Sequence, residues 1–339
     1  MYSKWKWISF LLLPFAFLLG CALADGAGAQ PASTSSGQAY PSRPIRMIVP
    51  YPPGGSTDPA GRAFAAWLSE ALGQQVVVDN RPGAGSTIGH GLGARAAPDG
   101  YTLLLGTSGG LATSPALGTK LSYDPVKDFA PIGLGVYAPF MLAVYPGLPA
   151  ANLKEFIALS KAQPTRINFA SPGVGTPNHL GAELLKVMAG FQFVHVPYKG
   201  GGPAVVDLMA GRAQALFGGI PYTGSHVTAG RLRAIAIGHP LRLDSWPGLP
   251  AVAETLPGFT NTTWYGLLAP AGTPRAVINR INAEMKKAVA NAEFVKHLSA
   301  IGLEPASSSP AEFHDMIRTE LERWSRVIKQ AGITAEGAQ

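Results

Sequence analysis

The sequence predicts an α/β protein built from parallel sheets with flanking helices. Short apolar segments alternate with stretches of helical periodicity, beginning with a strand at 45–50 and a helix at 58–72. Such alternation is typical of parallel strands joined by crossover helices. The pattern from residue 274 onward is almost wholly helical. Further strands are predicted at 75–79, 101–105, 167–170, 193–196, 213–217 and 232–237, and further helices at 87–97, 152–162, 176–189, 203–210 and 221–229.

Capping signals support these helices. Asp58, Thr176 and Ser309 each precede a proline. A residue favoured at the N-cap followed by proline at the first helical position marks a helix start. Glu312 follows Ser309 at the spacing of a capping box.

Length and composition exclude several classes of protein. About 300 residues follow the N-terminal leader, which is enough for two domains. The formal net charge is +7, and the basic residues are scattered along the chain. The sequence therefore predicts no nucleic-acid partner, but a protein that attracts anions. Cys21 is the only cysteine and no histidine pair has metal-ligand spacing, so neither metal nor cofactor is expected.

The N-terminus has the order of a secretory signal. Lys4 and Lys6 precede an apolar run at 7–19, which small residues follow. The run is too short for a membrane span. One interpretation is a signal peptide at 1–29. The other is a lipoprotein signal at 1–20, with lipidation of Cys21. Residues 30–40 are predicted to form a flexible leader.

Three loops rich in small residues, at 52–58, 82–87 and 171–176, each follow a predicted strand and open a helix. Backbone N–H groups and a helix N-terminus together form an anion site, and ligands of parallel sheets bind at the carboxyl ends of the strands. Asp58 is a candidate for binding a ligand ammonium group, but we favour an N-cap role. The candidate ligand-binding residues in and beside these loops are Gly54, Gly55, Ser56, Thr57, Asp58, Ser86, Thr87, Ser171, Gly175, Thr176 and Asn178.

The second and third loops resemble each other. Residues 82–90 and 172–180 both begin with Pro-Gly-x-Gly and a hydroxyl residue, and both contain a histidine, His90 and His179. One interpretation is two similar α/β units that present equivalent loops. The other is coincidence among common turn residues.

Two segments of the chain resemble motifs of enzymes. Gly106-Thr107-Ser108-Gly109-Gly110 matches the G-x-S-x-G elbow of hydrolases, but Pro115 disfavours the long helix that should follow. A secreted serine hydrolase using Ser108 is therefore the alternative function, and Ser108 is also a candidate ligand contact. The glycines at 83–89 depart from the dinucleotide-binding spacing by one residue and lack an acidic partner.

The chain resembles the tripartite tricarboxylate transporter substrate-binding proteins, or Bug receptors, from Tyr40 to about Gly332. Characteristic matches include Asp79-Asn80-Arg81-Pro82-Gly83-Ala84-Gly85 and Pro98-Asp99-Gly100-Tyr101-Thr102. Other matching segments are residues 40–55, 198–200, 207–211 and 267–274.

The resemblance implies a two-lobed periplasmic binding protein fold with the ligand cleft between the lobes. Lobe 1 would comprise residues 41–138 and 256–333, and lobe 2 residues 139–255. It also implies a monomeric, non-enzymatic receptor in the periplasm. This receptor would capture a di- or tricarboxylate, an acidic amino acid or an aromatic acid for a membrane permease or a sensor kinase. The family's carboxylate contacts fall on the three small-residue loops. Residues 109–114 and 137–140 are expected in the pocket wall.

Overall fold

The computed structural model of the protein is organised around one long strand, β4 (Phe129–Val144), which belongs to two sheets. Its first part, as far as Pro139, pairs antiparallel with β9 (Thr262–Pro270). From Phe140 onward it pairs antiparallel with β7 (Ala215–Gly219). The change of partner therefore lies beside the boundary predicted between residues 138 and 139.

The first sheet contains the N-terminal strands. The structure describes residues 40–53, 56–164 and 166–333. Strand β1 pairs in parallel with β2 and β3, β3 pairs antiparallel with β9, and β10 pairs with β4. The strands not yet defined are β1 (Ile45–Val49), β2 (Val76–Asn80), β3 (Thr102–Thr107) and β10 (Glu304–Pro305).

The second sheet is formed by the middle of the chain. Strand β5 pairs in parallel with β6 and β7, and β4 pairs antiparallel with β7 and β8. The strands not yet defined are β5 (Asn168–Ser171), β6 (Val194–Pro197) and β8 (Arg233–Ile237).

The α/β class is confirmed, and the predicted strands at 45–50, 75–79 and 101–105 pair in parallel, as do those at 167–170, 193–196 and 213–217. The antiparallel strands β4 and β9 were not predicted. Pro131, Gly133 and Pro139 interrupt the β4 sequence, and such residues normally argue against a central strand. Register shifts beside Pro131 and Gly133 accommodate the first two of these residues.

All the predicted helices form. Helix α1 begins at Thr57, one residue earlier than predicted. A 3₁₀ turn at Ala84–Ser86 precedes α2, and a π-helical turn at Gly109–Thr113 precedes α3. The helices are α1 (Thr57–Leu72), α2 (Thr87–Ala94), α3 (Ser114–Ala116), α4 (Leu153–Ala162), α5 (Pro177–Ala189), α6 (Gly201–Met209), α7 (Ile220–Thr228), α8 (Arg275–Ala290), α9 (Ala292–Ala300) and α10 (Pro310–Ala331).

The C-terminal helices return to the first sheet. Helix α8 packs on α1, where Trp67 Nε1 donates a 3.0 Å hydrogen bond to the carbonyl of Glu284. Helix α10 packs both on the segment after β3 and on α5, through a cluster of Trp324, Leu117 and Leu180. It therefore joins elements of both sheets.

The described residues form one compact unit, so the predicted division into two lobes at specific residues stays a proposal. None of the helices in the described part of the chain has the length and apolarity that a membrane span needs. The predicted signal segments, most of the flexible leader and Cys21 lie outside the described residues.

Candidate functional site

A cavity of about 790 Å³ lies among the segments that follow the strands of both sheets. The first-sheet side contributes Thr57 and Gly109, and the second-sheet side contributes Gly175, Asn178 and Tyr222. A cavity of this size is in the range of small-molecule sites.

The start of α1 forms one wall of this cavity. Ser56 and Thr57 line it, whereas Gly54 and Gly55 lie outside the described residues. The first N–H groups of a helix have no intrahelical partner and carry partial positive charge, so this wall favours an anion. Burial raises the pKa of Tyr265 in the same wall, although the hydroxyls of Thr57 and Ser56 oppose that shift. Tyr265 therefore offers a neutral phenol.

Asp58 does not line the cavity. Its carboxylate accepts hydrogen bonds from Arg62 Nε and Asn80 Nδ2, both at 2.9 Å. The residue at the N-cap is Ser56, so the predicted N-cap role of Asp58 is wrong. A proline is tolerated throughout the first turn of a helix, and α1 can therefore begin at Thr57 ahead of Pro59.

The loop at 82–87 lines the cavity with backbone instead of the expected hydroxyls. Ala84 and Gly85 are in the wall, whereas Ser86 and Thr87 are not. Ser86 is 1% exposed, and Thr87 Oγ1 donates a 2.9 Å hydrogen bond to the carbonyl of Ala84. Ala84, Gly85 and Ser86 all have positive φ values, at 45°, 64° and 86°. The loop therefore makes a left-handed turn, and its two hydroxyl residues are not among those that line the cavity.

His90 supports this loop from behind. Its Nδ1 lies 2.9 Å from the carbonyl of Ser86, and its Nε2 accepts a 3.3 Å hydrogen bond from the N–H of Thr107. The ring is fully buried, and burial lowers the pKa of His90 to about 4. The neutral ring with its proton on Nδ1 satisfies both contacts.

The loop at 171–176 leads into α5 and brings Gly175, Thr176 and Asn178 into the wall. Thr176 is the N-cap of α5: its Oγ1 accepts from the N–H of His179 and donates to the carbonyl of Gly173 at 2.8 Å. Asn178 Nδ2 donates to the carbonyl of Phe217. These polar side chains are largely occupied within the protein.

Ser171 lies outside the wall. Its Oγ is 2.7 Å from His195 Nε2 and donates to the carbonyl of Gly173 at 3.0 Å. The side chain is fully buried. The structure thus puts Ser171 in a supporting layer behind the loop.

Among the described residues, the charge of the cavity wall is of one sign, positive. Of the described residues that line the cavity, none is acidic, and Lys120 is the only lysine or arginine. Gly201, at the start of α6, lies in the wall with the starts of α1 and α5. Several helix N-termini therefore face a cavity whose one charged side chain is a cation. The described residues include no group of three or more His, Cys, Asp or Glu suited to a metal ion.

Comparison with known proteins fixes the family. The sequence profile of the tripartite tricarboxylate transporter family receptors (TctC) matches residues 61–333. The chain belongs to this receptor family. BugT of Bordetella pertussis is 37% identical over 317 residues, which cover 93% of this chain and 96% of BugT.

Solved structures similar to this receptor have the two-lobed fold of periplasmic binding proteins. Rpa4515 of R. palustris, solved with adipate, is 33% identical, with a TM-score of 0.81 over 87% of this chain and 99% of that one. MatC of Rhodopseudomonas palustris, solved with bound malate, is 30% identical, with a TM-score of 0.74 over 85% of this chain and 100% of that one. The predicted family, fold and receptor function are confirmed.

The serine-hydrolase alternative finds no support in the receptor. Ser108 is 2% exposed, lies outside the cavity wall and has its Oγ 2.6 Å from Thr263 Oγ1. A serine nucleophile needs a base within hydrogen-bond reach. In the part of the chain that the structure describes, no histidine contacts Ser108, and both nitrogens of His90 contact backbone groups. Thr107 and Gly109, on either side of Ser108, do line the cavity.

The receptor's wall also contains residues that the sequence did not single out. Gly109 and Phe140 lie in segments expected there, but the tyrosines were missed. Tyr51 and Tyr222 come just after β1 and β7, so the rule that ligands bind beyond strand ends could have found them. Tyr265 is in the middle of β9, which was not itself predicted. The missed members of the wall with a phenol or a charge are Tyr51, Tyr222, Tyr265 and Lys120.

Proposed function

We propose that this receptor binds a dicarboxylate of about the size of adipate in the cavity between the two sheets. The observation that carries the proposal is the convergence of helix N-termini on a wall in which no described residue is acidic. Backbone N–H groups aimed at a ligand favour negative charge, and an acidic wall would repel it.

One carboxylate would bind at the starts of α1 and α5. The hydroxyl of Thr176 already donates to Gly173, so the first-turn N–H groups are the more suitable donors there. The Tyr265 phenol and the Thr57 hydroxyl add neutral donors beside the start of α1. Hydrogen bonds from neutral groups to a carboxylate are each worth about 1.5–3 kcal/mol.

The second carboxylate would lie toward Lys120. This side chain is exposed, lines the cavity and makes no ion pair with any described residue. Adipate and malate, bound by the similar proteins Rpa4515 and MatC, both carry two carboxylates. A cavity of about 790 Å³ also accommodates the longer of these acids.

A thermal-shift panel tests this function. Adipate should raise the midpoint of unfolding because only the folded receptor binds it. Hexanoate, of the same chain length with one carboxylate, should give a smaller shift, and 1,6-diaminohexane none. A shift produced by the diamine but not by the acids would refute the proposal.

Lys120→Gln should weaken adipate binding about two- to fivefold, the range for an exposed ion pair, and leave hexanoate binding unchanged. Calorimetry at low salt measures both affinities. Lys127→Gln is the matched control: Lys127 is an exposed lysine on the same segment that pairs with Asp124 and does not line the cavity. Equal losses for adipate and hexanoate would show that Lys120 does not contact a second carboxylate.

We further propose that the mature receptor is a periplasmic monomer that delivers its ligand to a tripartite tricarboxylate permease, with a sensor kinase as the alternative partner. The family match and the signal-like N-terminus support export and a permease partner. Lipidation of Cys21 stays a prediction. Intact mass measurement of the protein from its native periplasm distinguishes cleavage after Ala29 from a lipid-bearing Cys21.

A further inference from the structure

Two histidine rings stack behind the ligand loop at 171–176. His179 is in the first turn of α5 and His195 is on β6. Their ring centroids are 3.8 Å apart and their planes are 14° from parallel. Neither ring lines the cavity, and His179 is 4% exposed. The pair therefore contacts the loop from the side opposite the ligand.

Each ring holds a different end of the loop. His195 Nε2 lies 2.7 Å from Ser171 Oγ, where the loop leaves β5. His179 Nδ1 accepts a 3.1 Å hydrogen bond from the N–H of Gly175, where the loop enters α5. Gly175 has a φ of 74° and lines the cavity beside Thr176. The histidine pair thus fixes the backbone that forms the cavity wall.

The contact with Gly175 defines the protonation state of His179. A backbone N–H can only donate, so Nδ1 of His179 must be without a proton. The ring proton is then on Nε2, which lies 3.7 Å from Glu183 Oε1. Glu183 is also paired with Lys186. Glu183 and Lys186 are the charged groups that face the stacked rings, and both are on α5; β5 and β6 contribute Ser171 and His195.

The neighbours of His179 are one neutral ring and one ionised carboxylate. Burial, with the nearby His179, lowers the pKa of His195 to about 4, so His195 stays neutral above pH 5. Burial acts to raise the pKa of Glu183, but the hydrogen bonds from His179 and Lys186 outweigh it and hold that pKa below its usual range. The ionised carboxylate therefore faces Nε2 and favours the tautomer that carries its proton there.

We propose that His179 is a positioning residue for the ligand loop, and that the loop keeps its ligand-binding shape because Nδ1 of His179 accepts the N–H of Gly175. Without an acceptor at this place, the N–H of Gly175 would lose its partner. Gly175 and Thr176 would then shift in the cavity wall, and ligand would bind more weakly. This inference rests on the proposed function, because the loop is taken to hold the carboxylate.

The size of the effect follows from this contact. Loss of the acceptor for the Gly175 N–H should lower the affinity for adipate about tenfold at pH 7.5, the effect of losing a single hydrogen bond in the wall.

Matched variants separate the hydrogen bond from the packing of the ring. In His179→Asn, Oδ1 can occupy the place of Nδ1 and accept from Gly175. In His179→Leu the acceptor is absent. Calorimetry at pH 7.5 should find the adipate affinity of the Asn variant within about threefold of the parent and that of the Leu variant about tenfold weaker. Equal losses of affinity in the Asn and Leu variants would overturn the inference.

A second measurement needs no ligand. Nitrogen-15 NMR of the histidine rings in the ligand-free receptor should find His179 with its proton on Nε2. The Gly175 amide hydrogen should be protected from exchange with solvent in the parent and in the Asn variant, and should exchange faster in the Leu variant. A proton on Nδ1 at pH 7.5 would refute the inference. If these NMR results hold but adipate does not bind at pH 7.5, the choice of ligand fails and the positioning role stands.

Discussion

Thr57→Asp is expected to lower the affinity for adipate at least a hundredfold. The new carboxylate would lie at the start of α1, within the cavity, and would occupy the donors that we assign to the ligand. Two like charges about 4 Å apart repel by about 4 kcal/mol at the effective dielectric of a protein surface, which exceeds the energy of a hundredfold change. The helix N-terminus stabilises an aspartate at this position, so the variant should fold.

Thr57→Asn is the matched control because asparagine has nearly the size of aspartate without its charge. We expect the Asn variant to bind adipate within about tenfold of the parent, and its unfolding midpoint to be similar to that of the Asp variant. Calorimetry at pH 7.5 compares the three proteins. If the Asp and Asn variants bind equally well, the ligand carboxylate is not held at the start of α1.

Gly89→Ala should destabilise the receptor by about 2 kcal/mol or more, in the range for overpacking a close contact. Gly89 is in α2, immediately after the loop at 82–87. A Cβ built there would lie 2.6 Å from Pro50 Cβ and 2.7 Å from the carbonyl oxygen of Arg81. A proline ring and a backbone carbonyl cannot move aside as a flexible side chain can. Urea denaturation should show a lower midpoint at an unchanged m-value.

Gly202→Ala provides the comparison for this substitution. Gly202 is in α6, and a Cβ built there has no neighbour within 4 Å. Alanine has the higher helix propensity, so this variant should be as stable as the parent or up to about 1 kcal/mol more stable. A Gly89→Ala protein as stable as Gly202→Ala would mean that α2 can move away from the end of β1.

Much of the site could be predicted from the sequence because it depends on local rules. Strand ends, small residues and helix starts are visible in the chain, and the structure places the predicted loop at 171–176, with Gly175, Thr176 and Asn178, in the cavity wall. The direction of each side chain could not be predicted. Ser86 and Ser171 are in the expected loops but do not line the cavity: Ser86 is buried, and Ser171 contacts His195.

The two similar loops have similar supports. His90 contacts the carbonyl of Ser86 in one, and His179 contacts the N–H of Gly175 in the other. The histidines are not at equivalent positions, since His90 is eight residues after Pro82 and His179 is seven residues after Pro172, but each contacts its loop from the helix that follows. The contacts differ in polarity, since His90 meets a carbonyl and His179 an N–H group, and the sequence did not indicate this difference.

The long strand β4 also has a consequence for how the receptor loses its structure. Its sixteen residues are hydrogen-bonded to β9 at one end and to β7 and β8 at the other. Unfolding of either sheet would remove hydrogen-bond partners from the same continuous strand. It would therefore also destabilise the strand pairing in the other sheet. The two sheets are therefore thermodynamically coupled, and a ligand held mainly by one of them is expected to protect the amide hydrogens of both from exchange with solvent.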